Sequence, residues 1–419
     1  MNSTFAGSDD TAGGDAVSEA AGGADCAGAA GSSAFLEEHA TARRRHTAAM
    51  SRRVMARTLP DAHAGVKRRK PWYRPPMPVS DATEATLVIL PNWMGDVVMS
   101  AALLALLGAR SEGSAIHVAV PDHLAELAAL LPGVTDVHGF EREACRGPLG
   151  AFRLGRRLRR FGPFGSCYCL PRSFRSAITA FATGAGDRIG YRQEMRAFLL
   201  TRAHSRRPGV HRVVEYARLA SESFERARSE SVVRIETARA SALVATGLAP
   251  ERPAIALDIH SEAQSRRMSL EKWARVAGAL SSDIGGSFVL IGSPREAART
   301  REFLSRLPAS VRVRDLCGRT SSGQLAGVLA SCDVLLSSDS GPAHLANALG
   351  VPTVVLFGAG DDRITEPFNP AGRQVIRLPG LECAPCVANR CRLGTPRCLE
   401  DLDERVIVRA VAAALDSRG

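Results

Sequence analysis

The chain of 419 residues is 45% hydrophobic, which is enough for two ordinary domains with cores of their own. No apolar run approaches the roughly 18–20 residues of a membrane span, and the N-terminus lacks the basic-then-apolar order of a secretory signal, so we expect a cytoplasmic protein. The 54 Lys and Arg against 43 Asp and Glu give a net charge of +11, which suits an anionic membrane surface or phosphorylated substrates, whereas 5% aromatic residues argue against a stacking surface for nucleic acid.

Residues 1–80 differ in composition from the rest of the chain. Positions 1–40 are rich in Gly, Ala and Ser and contain no Lys or Arg, whereas positions 43–70 are strongly basic and are followed by several prolines. Such a segment cannot bury enough apolar surface to offset its chain entropy, so we predict a disordered arm. Its charges are either those of a solvated tail or a tether to an anionic membrane surface.

Residues 81–235 alternate short apolar runs with helical patterns. "TLVIL", "AIHVAVP" and "FGSCYCLP" indicate buried strands, and "MSAALLALLGA", "DHLAELAALLP" and "SFRSAITAFATG" indicate the helices that follow them. This order predicts a mostly parallel sheet covered on both faces.

Residues 236–400 repeat the same alternation, with strands in "AIALDIH", "SFVLIGS", "DVLLSS" and "VPTVVLFG". Two consecutive halves of this kind predict an α/β protein with two Rossmann-like doubly wound domains that face a cleft. For residues 401–419 we predict a helix that packs back across the domains.

One strand end in the second half has the features of an anion site. In "SSDSGPAHLANALG" a strand passes into a helix at Ser340 and Gly341, where free backbone N–H groups and the helix dipole favour a diphosphate. His344 is placed on the first turn and is expected to face the same way. The alternative is a plain helix cap made by Asp339 or Ser340.

Two further strand ends lie along the same predicted edge. Arg266 or Arg267 follows "AIALDIH" and could clamp phosphate oxygens, or the pair could be solvated. Glu296 follows "SFVLIGS", where an acid often binds ribose hydroxyls. The agreement of three strand ends favours one nucleotide crevice more than any of them does alone.

In the first half, "PNWMGDVVMS" places Asp96 where a buried strand passes into a helix. This carboxylate either interacts with the helix dipole or acts as a general base toward an attacking hydroxyl. Arginines are dense in this half, which suits an anionic acceptor, although a generic basic surface would explain any one of them. We assign Trp93, Arg172, Arg175 and Arg192 to the acceptor side.

Four late cysteines, in "CAPCVANRCRLGTPRC", have a spacing compatible with tetrahedral zinc. Reduced thiols and local disulfides are the alternatives, and in each case we expect a structural role. The four are Cys383, Cys386, Cys391 and Cys398.

Three motifs together resemble a known family. "LCGRTSSGQLAGVLASCDVLLSSDSGPAHLANALGVPTVVLFGAGDD" is similar to the donor-domain signature of glycosyltransferase family 9, the lipopolysaccharide heptosyltransferases, and "LPNWMGDVVMSAALLALL" resembles its first strand, loop and helix. "LPRSFRSAITAFATGAGDRIGYRQEMRAFLLT" resembles the heptosyltransferase II branch. The resemblance runs from Thr86 to Asp403.

The resemblance implies a GT-B fold and inverting transfer of heptose from ADP-L-glycero-D-manno-heptose to the lipopolysaccharide inner core. It implies that no metal or other cofactor takes part, and that the enzyme works at the cytoplasmic face of the inner membrane. By motif, Asp96 falls on the catalytic base and Arg266 on a donor-phosphate contact. The diphosphate loop falls on Asp339, Ser340, Gly341 and His344, and the nucleoside contacts on Glu296 and Thr320. We expect Arg266, His344 and the helix start to stabilise charge on departing ADP.

The chain departs from the family pattern in one loop. Family members usually have a glycine-containing turn after the strand "AIAL" and then a Lys-Arg-Trp-Pro-like run, where this chain has "DIHSEAQS" and "RRMS". Arg172 also stands where asparagine is common. Two alternatives therefore stay open: a transferase of the same fold for another nucleotide sugar in cell-surface glycan synthesis, and a catalytically silent nucleotide-sugar-binding protein.

Overall fold

The computed structural model describes residues 85–110, 113–236, 240 and 252–417. The predicted arm, residues 1–80, lies outside these ranges, so its disorder and its tether role stay predictions. Within the ranges, no helix combines the length and the hydrophobicity that a membrane crossing requires.

Two parallel six-stranded sheets confirm the predicted α/β class. The first has the order β3-β2-β1-β4-β5-β6, and the second, β12-β11-β10-β7-β8-β9, repeats that order when it is read from β9. This is the doubly wound Rossmann order. The strands are β1 (Ala85–Ile89), β2 (Ile116–Pro121), β3 (Val134–Phe140), β4 (Phe164–Cys169), β5 (Asp187–Tyr191), β6 (Arg202–His204), β7 (Ala254–Asp258), β8 (Ser287–Leu290), β9 (Val313–Asp315), β10 (Val334–Ser338), β11 (Thr353–Phe357) and β12 (Arg373–Arg377).

Helices connect the strands in both halves. Those of the first half are α1 (Met94–Met99), α2 (Ala101–Arg110), α3 (Ala125–Ala128), α4 (Gly147–Leu158), α5 (Phe174–Ala182), α6 (Arg212–Ala217) and α7 (Phe224–Glu230). Those of the second are α8 (Leu270–Asp283), α9 (Ala297–Arg306), α10 (Ser322–Ala330), α11 (Gly341–Ala348), α12 (Asp362–Thr365), α13 (Arg397–Glu400) and α14 (Glu404–Asp416). Short 3-10 helices include Arg196–Leu199, Gln264–Arg266 and Pro294–Glu296.

Side-chain caps explain where several helices begin. The hydroxyl groups of Ser173, Ser269 and Ser321 accept hydrogen bonds from backbone N–H groups in the first turns of α5, α8 and α10. Such caps satisfy N–H groups that have no partner within the helix. The central strands β1, β7 and β10 are buried along nearly their whole length, as expected for a parallel sheet covered by helices on both faces.

The two halves share one apolar core. A single cluster of buried side chains contains Val97 and Leu104 from the first half and Leu345 and Val351 from the second. The segment that joins the halves already contacts the second half near residue 235, where the Ile235 N–H group donates to the Ala348 carbonyl oxygen at 2.9 Å. The predicted division between 81–235 and 236–400 therefore falls in a stretch that packs on the second domain, and it remains a prediction.

Helix α14 differs from the expectation for residues 401–419. Its buried side chains, Ile407, Val408 and Val411 among them, join the core around the second sheet, and its contacts are with α8 and with strands β10 to β12. We expected a helix lying across both domains. Its buried apolar side chains pack instead on α8 and the second sheet.

Candidate functional site

Helices α1 and α11, one from each half, cross in direct contact at two glycines. A Cβ atom on Gly95 would lie 2.8 Å from Cδ2 of His344, and one on Gly341 would lie 2.9 Å from Cβ of Met94. Both distances are shorter than real Cβ contacts, so the close approach requires glycine on each helix. The crossing brings the first turn of α1, which carries Asp96, up to the start of α11 at Ser340.

Asp96 lies in the first turn of α1 and is held by a tyrosine from α6. The Tyr216 hydroxyl donates to Asp96 Oδ1 at 3.0 Å. Burial, together with the negative charge of Asp96, raises the pKa of Tyr216 well above its usual value, so Tyr216 remains a hydrogen-bond donor. Among the described residues no hydrogen bond reaches Oδ2, which leaves that oxygen able to take a proton. Sequence analysis missed Tyr216, which reads as an ordinary core aromatic of an amphipathic helix.

A buried carboxylate next to Tyr216 holds three arginines. Glu215 is 3% exposed and accepts hydrogen bonds from Arg206 at 2.7 and 3.3 Å. Arg172 and Arg212 place guanidinium nitrogens 3.9 and 3.8 Å from its oxygens. Burial, with the neighbouring Arg212 and Arg206, lowers the pKa of Arg172. The cluster fixes α6 and puts an excess of positive charge beside Asp96, as an anionic acceptor would require.

In the second half, the start of α11 is left without a side-chain cap. Ser340 occupies the N-cap position, but its hydroxyl donates to Asp258 Oδ2 at 2.5 Å. Ser337 lies 3.3 Å from the same oxygen. The first-turn N–H groups of α11 are therefore not used by Ser340, which favours the anion site over the plain cap.

Asp258 is a second residue that sequence analysis missed. It ends β7, beside β10, where the strand order of the second sheet reverses, the place where doubly wound sheets bind ligands. Burial raises its pKa to about 7, against the hydrogen bonds from Ser340 and Ser337, which lower it. An acid that ends the apolar run "AIALD" was the available signal.

The structure distinguishes Arg266 from Arg267. Arg266 Nη1 lies 3.1 Å from Asp339 Oδ2, and its buried Nε has no hydrogen-bond partner among the described residues. Arg267 donates to the carbonyl oxygens of Ser261 and Glu262 at 2.6 and 3.2 Å, so its guanidinium is already in use. Burial raises the pKa of Asp339 to about 6, although Arg266 opposes this. Of the two arginines, Arg266 is therefore the one that can still donate a hydrogen bond to a ligand at the start of α11.

His344 does not present a positive charge to this edge. Its side chain is 7% exposed and packs on Gly95 at the domain contact. Burial, together with His211 and Arg266, lowers its pKa to about 3, so the imidazole is neutral near pH 7. In the structure the His344 ring fills the space beside Gly95, and its predicted part in stabilising charge on a leaving group stays a prediction.

The two expected nucleoside contacts lie at the ends of neighbouring strands. Glu296 follows β8, and its Oε2 accepts the Ser293 N–H group at 2.7 Å in a capping box, while its Oε1 lies 4.0 Å from Nδ1 of His260. Burial lowers the pKa of His260 to about 4. Thr320 is partly buried in the loop after β9. Glu296 therefore has a structural role, and a nucleoside role for either residue stays a prediction.

The acceptor-side residues are more exposed. Trp93 is 52% exposed, and the Arg142 guanidinium lies 5.7 Å from the centre of its ring. A cavity of about 150 Å³ opens beside it at the starts of α4 and α5, and its lining includes Asn92, Arg142 and Arg175. Arg192 is exposed and donates to the Ala203 carbonyl oxygen at 3.2 Å, and it is not among the residues that line this cavity.

The late cysteines are free thiols in the structure. Among the residues described, no group of three or more His, Cys, Asp and Glu side chains could hold a metal ion. Burial and the neighbouring thiols raise the pKa of Cys398 to about 11. The loop braces the turn that carries Arg266, because the Ser265 N–H group donates to the Asn389 carbonyl oxygen at 3.2 Å.

A family model, curated relatives and a solved structure that resemble this chain are described as heptosyltransferases. The family model described as glycosyltransferase family 9 (heptosyltransferase) matches residues 151–396. Lipopolysaccharide heptosyltransferase 2 of Escherichia coli K12 is 31% identical over 70% of this chain and 87% of its own length, and lipooligosaccharide heptosyltransferase 2 of Haemophilus influenzae is 28% identical over 70% and 88%. The solved structure of E. coli ADP-heptose LPS heptosyltransferase II superposes with a TM-score of 0.67, at 26% identity, over 80% of this chain and 99% of that one.

Proposed function

The chain belongs to glycosyltransferase family 9, and on that premise we propose that it transfers L-glycero-D-manno-heptose from ADP-heptose to the lipopolysaccharide inner core, as a heptosyltransferase II. One observation carries the proposal. Helix α1, with Asp96 in its first turn, packs directly on the uncapped start of α11. A base and a diphosphate site thus face each other across the domain contact.

The second domain binds the donor. The diphosphate lies at the N-terminus of α11, where the backbone N–H groups and the helix dipole meet its charge. Arg266 donates to the phosphate oxygens, and Asp339 holds its guanidinium in place from the other side. Because these groups are positioned before the reaction, they stabilise the charge that develops on the leaving ADP. The proposal invokes no cofactor.

The first domain supplies the acceptor and the base. Asp96 Oδ2 takes the proton of an acceptor hydroxyl as that oxygen forms a bond to the anomeric carbon. The bond from the anomeric carbon to the phosphate oxygen breaks in the same displacement, and ADP leaves with the electron pair, so the configuration inverts. Tyr216 holds Oδ1 and thereby orients Oδ2 toward the acceptor. Trp93 and the arginines around Glu215 receive the rest of the anionic acceptor.

The acceptor is itself part of a lipid-anchored molecule, so we place the reaction at the cytoplasmic face of the inner membrane. The named relatives support this choice of substrate, since they are heptosyltransferases of lipopolysaccharide and lipooligosaccharide. The choice of an ADP-heptose donor follows the solved E. coli relative, an ADP-heptose LPS heptosyltransferase II.

Incubation of the full chain with ADP-L-glycero-D-manno-heptose and a core acceptor bearing one heptose tests the proposal. Mass spectrometry should find an acceptor extended by one heptose. A product formed only from another nucleotide sugar would move the assignment to a different donor. Binding of ADP-heptose in calorimetry without any product would identify a silent binding protein and refute the proposal.

A further inference from the structure

Exposed apolar side chains concentrate on one face of the first domain. The face is formed by α4, α5 and the 3-10 helix Arg196–Leu199 and is called the α4–α5 face below. It carries half of the exposed large apolar side chains among the described residues: Leu149, Phe152, Phe181, Met195 and Phe198.

The three elements form one continuous surface. Helices α4 and α5 lie side by side and run the same way, since the Thr179 hydroxyl donates to the Ala151 carbonyl oxygen at 3.1 Å and a Cβ on Gly155 would lie 2.6 Å from Cβ of Ala182. On the other flank of α5, the rings of Phe174 and Phe198 are 6.1 Å apart.

The charge on this face has a single sign. Residues 147–186 contain no Asp, Glu or Lys and include seven arginines, at positions 153, 156, 157, 159, 160, 172 and 175. Carboxylates at the border of the face already have partners. Glu143 pairs with Arg146 at 3.1 Å, and Glu194 Oε2 accepts the Phe174 N–H group at 2.8 Å. Asp187 pairs with Arg202 at 2.6 Å.

The backbone holds one of these apolar side chains outward at a conformational cost. Met195 has φ of 54° in the left-handed region, which non-glycine residues rarely adopt, and it is 88% exposed. The next residue, Arg196, is fully buried and donates to the carbonyl oxygens of Tyr191, Pro171 and Ser173. The loop is therefore anchored from below while it presents a methionine to solvent.

We propose that the α4–α5 face docks on an anionic lipid surface. Its arginines would meet the headgroups while the apolar side chains enter the interface, the arrangement of membrane-surface elements. A second copy of this face would carry the same positive charge and be repelled, whereas anionic lipid complements it. No membrane-spanning helix is needed for this mode of binding.

The position of the face relative to the cavity strengthens the assignment. Arg146, Ser173 and Arg175, at the starts of α4 and α5, line the cavity beside Trp93. Docking of the α4–α5 face would therefore hold the cavity mouth at the membrane surface, where a lipid-anchored acceptor is embedded. This last step rests on the proposed function, whereas docking itself does not.

Co-sedimentation with vesicles tests the proposal, with the full chain and vesicles of phosphatidylglycerol and phosphatidylcholine. The double variant Met195→Asn/Phe198→Ser should bind about tenfold more weakly, because each apolar side chain that partly enters the interface contributes roughly threefold. The matched control is Val387→Asn/Leu393→Ser in the second domain: Val387 has φ of 51° and both side chains are exposed, at 62% and 64%. This control should bind like the parent.

Charge is tested separately. Arg153→Glu/Arg156→Glu should reduce binding to anionic vesicles about tenfold or more, since each basic residue near the surface contributes about fivefold. The control Arg405→Glu/Arg409→Glu changes two exposed arginines of α14 and should have little effect. Binding of the parent should also fall with added salt.

Equal vesicle binding by the parent and both face variants would overturn the proposal and assign binding to residues 1–80, which all variants retain. Equal loss by face and control variants would also overturn it. A water-soluble acceptor separates the two proposals: the face variants should keep parental transfer on it. Vesicle binding without any heptose transfer would refute the proposed function and leave the docking face standing.

Discussion

The two strand-end edges that meet at α1 and α11 hold their charged groups in opposite ways. On the donor edge, Asp258 and Asp339 are buried, and each already contacts a partner, Ser340 or Arg266. On the acceptor edge, Trp93 and Arg175 are exposed beside a cavity. A diphosphate has one shape, so groups that are fixed in advance bind it more tightly. A large anionic acceptor instead needs room and side chains that can adjust.

Burial of the two carboxylates on the donor edge lowers the free energy of unfolding. Burial raises the pKa of Asp258 to about 7 and that of Asp339 to about 6, so holding either as a carboxylate at neutral pH is unfavourable. On the acceptor edge Arg175 and Arg192 avoid this cost because their side chains are exposed to water. The following experiments test how far this contrast between a fixed edge and an open edge holds.

The largest effect is expected from Asp96→Ala, which removes the proposed base on the side of the open edge. Turnover should fall about 10³-fold, the order that a positioned general base supplies. Affinity for ADP, measured by calorimetry, should stay within about twofold because the donor edge is intact. Transfer at the parental rate would show that Asp96 is not the base.

Arg266→Ala removes the ligand-facing arginine of the fixed edge. The KM for the donor should rise about 10- to 100-fold, since a hydrogen bond to a charged group is lost. Arg267→Ala is the matched control, because Arg267 bonds only to carbonyl oxygens of its own turn among the described residues. It should lower the thermal midpoint and leave the donor KM nearly unchanged. Equal KM effects for both variants would remove the distinction between them.

Tyr216→Phe deletes the hydroxyl that orients Asp96. We expect kcat to fall about tenfold with the donor KM unchanged, because Asp96 loses the hydrogen bond that orients it. Tyr191→Phe is the control: its hydroxyl donates to the Glu215 carbonyl oxygen at 2.5 Å in the same module. In an Asp96→Asn background, Tyr216→Phe should have no further effect. Additive losses would mean that Tyr216 acts independently of Asp96.

The smallest effect concerns stability at the fixed edge. In the folded chain the pKa of Asp258 is raised to about 7, so the folded chain holds this proton more tightly than the unfolded chain does. The proton's contribution to the free energy of unfolding is therefore complete below about pH 4 and is lost as the pH rises toward 7. Asp258→Asn should therefore match the parent near pH 4 and exceed it at pH 8, by on the order of 5 °C in thermal midpoint. A difference that does not change with pH would contradict the assignment.

The repeated strand and helix pattern was sufficient to predict both sheets. Periodicity and strand ends are local properties, and they placed Ser340, Gly341, Arg266 and Glu296 at strand ends of the second sheet, where their donor roles stay predictions. Sequence also predicted that Asp96 faces the second domain, which follows from its place after β1 in a doubly wound sheet.

The contacts that sequence analysis did not foresee join residues that are distant in the chain. Tyr216 reaches Asp96 from 120 positions away, and nothing in "HRVVEYARLA" separates it from a core aromatic. His344 was expected to face a ligand, but its environment is set by Gly95 in the other domain. Ser340 was a candidate cap, and its hydroxyl turned to Asp258 because β7 and β10 are neighbours in the sheet.

The crossing of α1 and α11 at two glycines fixes the distance between the starts of these helices, and with it the space for a substrate. A methyl group at Gly95 would meet the His344 ring, and one at Gly341 would meet Met94, so neither glycine can be replaced without moving apart the helices that carry the proposed base and the proposed diphosphate site. A longer sugar must therefore extend sideways, toward Trp93 and the open edge. Redesign of sugar specificity should begin with the exposed side chains there and leave the crossing untouched.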